Sequence, residues 1–151
     1  MSEKTVATNR KANFEYFLIE RYEAGIELKG SEIKSIRNKQ ISLAEAYVSI
    51  DGKQAWLHEA HIAPYVLANR YNHDPKRIKR LLLHRREILQ LWNSVRQKGM
   101  TIVPVRVYLK NGKAKLEIAL AKGKKLYDKR QEIAKKDMER EIRRDRKREE
   151  D

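Results

Sequence analysis

The residues in this sequence best suited to chemistry are cations. Lys76-Arg77-Ile78-Lys79-Arg80 is followed, after Leu81-Leu82-Leu83, by His84-Arg85-Arg86, with Asn72, His73 and Asp74 just before the run. Between Lys76 and Arg86 there are six lysines or arginines and no acid. Within a Debye length such a cluster attracts phosphates and releases their counterions on binding. A solvated loop running into a helix is the plainer alternative, but an ordinary mixed-charge face would carry acids among its bases. Other chemistries are poorly served. The four histidines, at 58, 61, 73 and 84, invite a metal, yet His58 and His61 lie in a strand-like stretch at a spacing that points them to opposite faces. No carboxylate cluster completes a ligand set, so neither a metal nor any other cofactor is expected, and the histidines read as hydrogen-bonding groups. There is no GxSxG elbow and no GxxxxGKS/T phosphate loop. Gly123-Lys124-Lys125 imitates the end of such a loop, but Ile118 occupies the place of the opening glycine and Lys125 that of the Ser or Thr. The chain reads as a binding protein and not an enzyme.

The elements that position these cations belong to one small domain. A chain of 151 residues is within single-domain size, and folding buries roughly 68–70% of its unfolded surface without staples. It has no cysteine, which excludes disulfides, thiolate metal sites and a cysteine nucleophile. With 35 Lys and Arg against 21 Asp and Glu, the net charge is +14. That calls for a polyanion: nucleic acid first, an anionic membrane surface second. Nowhere do eighteen apolar residues run uninterrupted, so no membrane span is expected. The opening MSEKTVATNRKAN lacks the apolar stretch of a secretory signal, and a cytoplasmic location is expected.

Periodicity gives mostly strands. Tyr22, Ala24, Ile26 and Leu28 alternate with Glu23, Gly25, Glu27 and Lys29, the period of a half-buried strand. Tyr47–Ile50 and Gln54–Leu57 flank Asp51-Gly52, suited to a tight hairpin turn. A second hairpin pairs Val103, Val105, Val107 and Leu109 with Leu116, Ile118 and Leu120 across Asn111-Gly112, leaving Arg106, Tyr108, Lys110, Lys115 and Glu117 on a wet outer face. Two helices interrupt the strands. One covers residues 30–37, with Ser31 as N-cap and Ile33 and Ile36 on one side. The other runs from Arg85 to Lys98, with Ile88, Leu91, Trp92 and Val95 at helical spacing and Gly99 at its end. Short strands, two hairpins and few helices predict a mainly β fold, a small antiparallel barrel of the oligonucleotide-binding (OB) type. RNA suits this surface better than DNA. No helix carries a basic recognition face free of core anchors, and Trp92, Tyr65 or Tyr71 could stack unpaired bases, although Trp92 sits on an apolar stripe that also suits the core.

The apolar pattern stops near Lys122-Gly123, which predicts a body over residues 1–121 and a charged tail over 122–151. The body carries a net +10 and the tail +4, and 22 of the tail's 30 residues are charged. Its apolar residues are only Leu126, Tyr127, Ile133, Ala134, Met138 and Ile142, too few for a core. Charge pairs four apart, Glu132 with Lys136 and Glu139 with Arg143, favour a helix once the basic side is screened. The tail is expected to be disordered alone and helical when docked. A membrane anchor is a poor alternative, because the stripe lacks Trp, Phe or Leu to insert.

Specific strings go further. Asn9-Arg10-Lys11-Ala12, Tyr22-Glu23-Ala24-Gly25, Gly30-Ser31-Glu32-Ile33-Lys34-Ser35-Ile36-Arg37, Asn72-His73-Asp74-Pro75, Leu81–Ile88 and Ala121–Arg130, with its GKKLYDKR, occur in order. Together they closely resemble the SsrA-binding protein (SmpB) family, from about Asn9 onward. The resemblance implies an OB-type barrel with an RNA-binding face and a basic tail. It also implies an activity: binding the tRNA-like domain of transfer-messenger RNA (tmRNA) and bringing it into ribosomes stalled without a stop codon, for trans-translation. The expected partners are tmRNA and the ribosome, with no membrane, and the protein is expected to act as a monomer on RNA. Glu23, Leu82 and His84 match family positions implicated in tmRNA contact, and some members carry asparagine where His84 stands. The same strings place Arg10, Lys11, Lys34, Arg37, Arg85, Arg86, Lys122, Lys124 and Lys125 among the expected RNA-binding residues. The hinge falls at Gly123-Lys124-Lys125. Tyr127 matches a position, histidine in some members, expected to stack on a decoding-centre base of the small subunit, with Asp128, Lys129 and Arg130 beside it, while the tail probes the empty mRNA channel.

Two other classes remain open at the level of sequence. A general ribosome-associated RNA-binding protein or RNA chaperone would share charge and fold, but would bind many RNAs alike. A nuclease or RNA-modifying enzyme would need a metal or a general base, and none assembles here.

Overall fold

The computed structural model describes residues 3–65, 67, 72–124 and 133–144. In chain order the elements are β1 (Glu3–Thr8), α1 (Arg10–Glu15), β2 (Tyr16–Ile26), α2 (Gly30–Arg37), β3 (Ile41–Ser42), β4 (Tyr47–Ile50), β5 (Ala55–His58), β6 (His61–Ile62), β7 (Lys79–Leu82), α3 (Arg85–Lys98), β8 (Thr101–Lys110) and β9 (Lys113–Gly123). Residues 133–144 form a further helix, α4, exposed along its whole length. Seven strands make one antiparallel sheet in the order β1-β8-β9-β2-β7-β5-β4, and β3 pairs with β6 beside it. The sheet curls until β4 approaches β8, which gives the small antiparallel barrel that the hairpins predict. No helix among the described residues is long and apolar enough to cross a membrane.

Both predicted hairpins form. Asn111 and Gly112 adopt φ of 52° and 79°, the left-handed pair that matches the twist of the flanking strands. At the other turn only Gly52 is left-handed, and the Asp51 carboxylate accepts from the Lys53 and Gln54 amides to complete it. Helix α3 ends at Gly99 with φ of 64°, where its stripe ends. Helix α2 starts differently from the expectation. Lys29 is the N-cap, and its amide donates to Glu32 Oε1 at 2.7 Å. Ser31 already lies inside the helix, and its hydroxyl meets His73 Nδ1 at 2.9 Å.

The second hairpin departs from its predicted alternation at a single residue. The register between β8 and β9 slips between Pro104 and Arg106, so Val105 is extra. A β-bulge shifts the phase of everything beyond it. Val107 therefore joins the main core with Ala24, Ile36, Leu57, Leu91, Leu116 and Ile118, while Val103 and Val105 face a smaller cluster of Ala12, Ala119 and Ala121 beneath α1. The wet outer face is also narrower than predicted. Strand β1 pairs with β8, and Tyr108 is only 2% exposed, with the Arg106 guanidinium 4.2 Å from its ring centre.

Candidate nucleic-acid interface

At its C-terminal end β2 gains β7 on its second edge, Gly25 opposite Leu82 and Ile26 opposite Leu81, while Gly25 still faces Lys115 of β9 on the first. A β-carbon on Gly25 would lie 3.1 Å from Leu82 Cβ, so the glycine allows this close approach. A cleft of about 530 Å³ lies between β2, β7, the β4–β5 turn and the start of α3. Glu23, Leu82 and His84 line it together, with Gln54 and Lys115. Leu82 is 47% exposed and gives the cleft an apolar wall. His84 caps α3: its amide donates to Glu87 Oε1 at 3.1 Å, leaving the ring exposed. Arg85 and Arg86 follow in the first helical turn, exposed and without an ion pair among the described residues. There the helix adds partial positive charge to their own.

Glu23 stands on the rim. Its Oε2 accepts a short hydrogen bond from the Tyr108 hydroxyl, and Lys110 Nζ lies 3.4 Å from the same oxygen. The Tyr108 bond, aided by Lys110 and Lys115 and opposed by burial, holds the Glu23 carboxyl below its ordinary range. Burial and the adjacent carboxylate push the Tyr108 phenol well up. Opposite Glu23, Glu117 is held by Arg21 at 3.1 Å and Arg106 at 3.5 Å, so these facing acids do not repel unopposed.

The basic run does not form one patch. Acids distant in sequence reach its first half: Lys76 pairs with Glu59 at 3.4 Å, Arg80 with Glu27 at 3.0 Å and Arg77 with Glu32 at 2.6 Å. Lys79 and Glu32 are fully buried, 4.0 Å apart, and Lys79 also donates to the Arg77 carbonyl at 2.6 Å. Burial drives the Lys79 ammonium down, against the pull of Glu32. The reading of Lys76–Arg80 as a phosphate-attracting loop is therefore narrowed: Arg77 and Lys79 lock β7 to α2 through Glu32, while Lys76 and Arg80 hold exposed ion pairs and Arg80 also lines the cleft. Of the run, only Arg85 and Arg86 stay unpaired among the described residues.

The remaining expected residues are spread over the body. Arg10 and Lys11 project from α1, which Asn9 pins by donating to the Pro104 carbonyl at 2.9 Å. Lys122 lies near the end of β9 opposite Phe17; Lys124 donates to the Asn13 carbonyl at 2.9 Å and lies 5.1 Å from the Phe17 ring centre. This group sits at the far end of β9 from Lys115, roughly 25 Å away at about 3.3 Å per residue. Lys34 lies over the half-buried Tyr65 ring at 5.6 Å, and Arg37 reaches the Gly112 carbonyl at 3.5 Å. Trp92 packs half-buried on the Gly52 turn, with Arg96 5.5 Å from its ring centre, outside both core clusters. Lys125, Tyr127, Asp128, Lys129, Arg130 and Tyr71 lie outside the described residues. His58 and His73 are hydrogen-bonded, to Ser49 at 2.7 Å and to Ser31 and the Ile62 carbonyl.

The family model described as SmpB protein matches residues 6–148. This chain belongs to the SmpB family. Among SmpB relatives, it is 54% identical over 140 residues to an SsrA-binding protein of Desulforudis audaxviator (strain MP104C), covering 93% of this chain and 92% of that one. It is 56% identical over 142 residues to an SsrA-binding protein of Sulfurihydrogenibium sp. (strain YO3AOP1), covering 94% and 93%. It is similar in structure to a chain described under "tmRNA-SmpB: a journey to the center of the bacterial ribosome", with a TM-score of 0.65 and 41% identity over 79% of this chain and 84% of that one. The OB-type barrel expected from the SmpB resemblance agrees with that likeness. Tyr108 was missed as a partner of Glu23, because the pairing needs the β8-β9-β2 order, which no spacing in the sequence reveals.

Proposed function

We propose that this protein binds the tRNA-like domain of tmRNA through its body and delivers it to stalled ribosomes for trans-translation. It acts in the cytoplasm as a binding protein, with no covalent step. The observation that carries this reading is membership of the SsrA-binding protein family across more than nine-tenths of the chain. The cleft supports it by gathering Glu23, Leu82 and His84 from separate elements beside unpaired Arg85 and Arg86. An apolar side chain, hydrogen-bonding groups and cations together suit a folded RNA surface, where stacking edges, 2′-hydroxyls and phosphates lie close together.

The tail that follows Gly123 is the part that senses the ribosome. Tyr127 stacks on a decoding-centre base, Lys129 and Arg130 meet phosphates, and the segment containing residues 133–144 occupies the mRNA channel when no message fills it. Binding of tmRNA in competition with bulk tRNA tests the first half. Comparable affinities for both would replace it with a general RNA-binding role. Tyr127→Ala tests the second, since base stacking is worth ~1–3 kcal/mol. Tagging on stalled ribosomes should fall well below wild type while tmRNA affinity holds; equal loss of both would put Tyr127 in the tmRNA site.

A further inference from the structure

Glu23 is an anion on a surface whose expected ligand is also an anion, and its side chain is 40% exposed. Left free, such a carboxylate would rotate among rotamers and repel phosphates as readily as it accepted a hydrogen bond. The structure removes that freedom. Tyr108 and Lys110 both hold Oε2, while Oε1 has no hydrogen bond among the described residues. Tyr108 is itself packed in place, 2% exposed and covered by Arg106, which is in turn held by Glu3, Thr5 and Glu117. Lys115 and Lys110 supply positive charge around the carboxylate.

We infer that Tyr108 is a positioning residue for RNA recognition: it does not touch RNA, but holds Glu23 so that Oε1 is its single free acceptor. This rests on the proposed tmRNA-binding function. One fixed carboxylate oxygen suits one neutral donor, a base amino group or a ribose 2′-hydroxyl, at a defined point of a folded RNA. A phosphate presented there meets the negative charge, so the held carboxylate rejects RNAs whose backbone passes that point. Glu23 then contributes discrimination more than affinity, and Tyr108 determines how sharp it is.

Tyr108→Phe removes only the hydroxyl and keeps the buried ring. Two arms separate its role from simple packing. Without RNA, the Glu23 carboxyl is followed through its acid titration by carbon-detected NMR in wild type and Tyr108→Phe. Loss of its chief hydrogen bond should move the midpoint up toward the ordinary carboxylate value. An unmoved midpoint would overturn the inference. With RNA, affinities for tmRNA and bulk tRNA are measured for wild type, Glu23→Gln, Tyr108→Phe and the double variant. Tyr108→Phe should lower the preference for tmRNA by about tenfold, the scale of one hydrogen bond to a charged group. In the Glu23→Gln background it should change the preference little, because the held group is gone. Equal effects in both backgrounds would make Tyr108 a packing residue only. Lack of selectivity in the wild type would refute the tmRNA reading by itself and take the RNA part of this inference with it, and the NMR arm would still report whether Tyr108 holds the carboxylate.

Discussion

Glu32→Gln should be among the most damaging single-atom changes in this fold. The substitution keeps shape and removes one charge. Glu32 is fully buried, with Arg77 at 2.6 Å and the fully buried Lys79 at 4.0 Å. Breaking a buried pair by neutralising one partner costs ~3–5 kcal/mol, mostly because the other charge is stranded. Arg77 is 27% exposed and can recruit water, but Lys79 cannot, so the low end, about 3 kcal/mol, is expected. For a chain of this length that corresponds to a fall in Tm of about 6–12 °C, or about 1.5 M in urea midpoint at a slope near 2 kcal/mol per M. Glu27→Gln, which breaks the exposed Arg80 pair, is the control and should cost under about 1 kcal/mol. The pH dependence follows from the direction of the shift. Burial alone would raise the Glu32 carboxyl, and Arg77, the Lys29 amide and Lys79 overcome it and hold it low. Its contribution is therefore complete above the unfolded carboxylate value of about 4.3 and lost as pH falls through the lower folded value. The stability gap between wild type and Glu32→Gln should be constant near neutrality and narrow in acid. A loss no larger than that of Glu27→Gln would show that the buried charges do not lock α2 to β7.

Two further predictions concern the cleft. Arg85→Ala with Arg86→Ala should weaken tmRNA binding and flatten the slope of log affinity against log salt by about 1.8, if each contacts one duplex phosphate; an unchanged slope places α3 away from RNA. Gly25→Ala puts a β-carbon 3.1 Å from Leu82 Cβ, which should cost about 1–3 kcal/mol and reduce tmRNA affinity by shifting Leu82. Full stability together with full affinity would show that the β2–β7 approach does not set the cleft.

The hairpins, α3 and the barrel class were legible because each rests on local signals: Asn111-Gly112, Asp51-Gly52, the Ile88–Val95 stripe and Gly99. Strand β1 and helix α1 were not. Glu3–Thr8 is mostly exposed, and α1 is six residues long with only Ala12 buried, so neither leaves a periodic trace. The run Lys76–Arg80 misled for a different reason. Its neutralising acids, Glu27, Glu32 and Glu59, come from other elements, and no count within the run can show them. Glu23, Leu82 and His84 came from resemblance; that they share one cleft depends on β7 adding to the second edge of β2, a tertiary event.

The slipped registers have a consequence for shape. Against β9, strand β8 carries one extra residue at Val105 and β2 one at Ile19, and the two slips fall within a few residues of each other along β9. Each bulge bends the strand that carries it, and two bulges flanking one strand at nearly the same level fold the sheet there. Bulges also increase local twist, in the same sense. The curl that brings β4 toward β8 thus begins at β9. Barrel closure starts from one mismatch in strand length, along the strand that separates Tyr108 from Glu23.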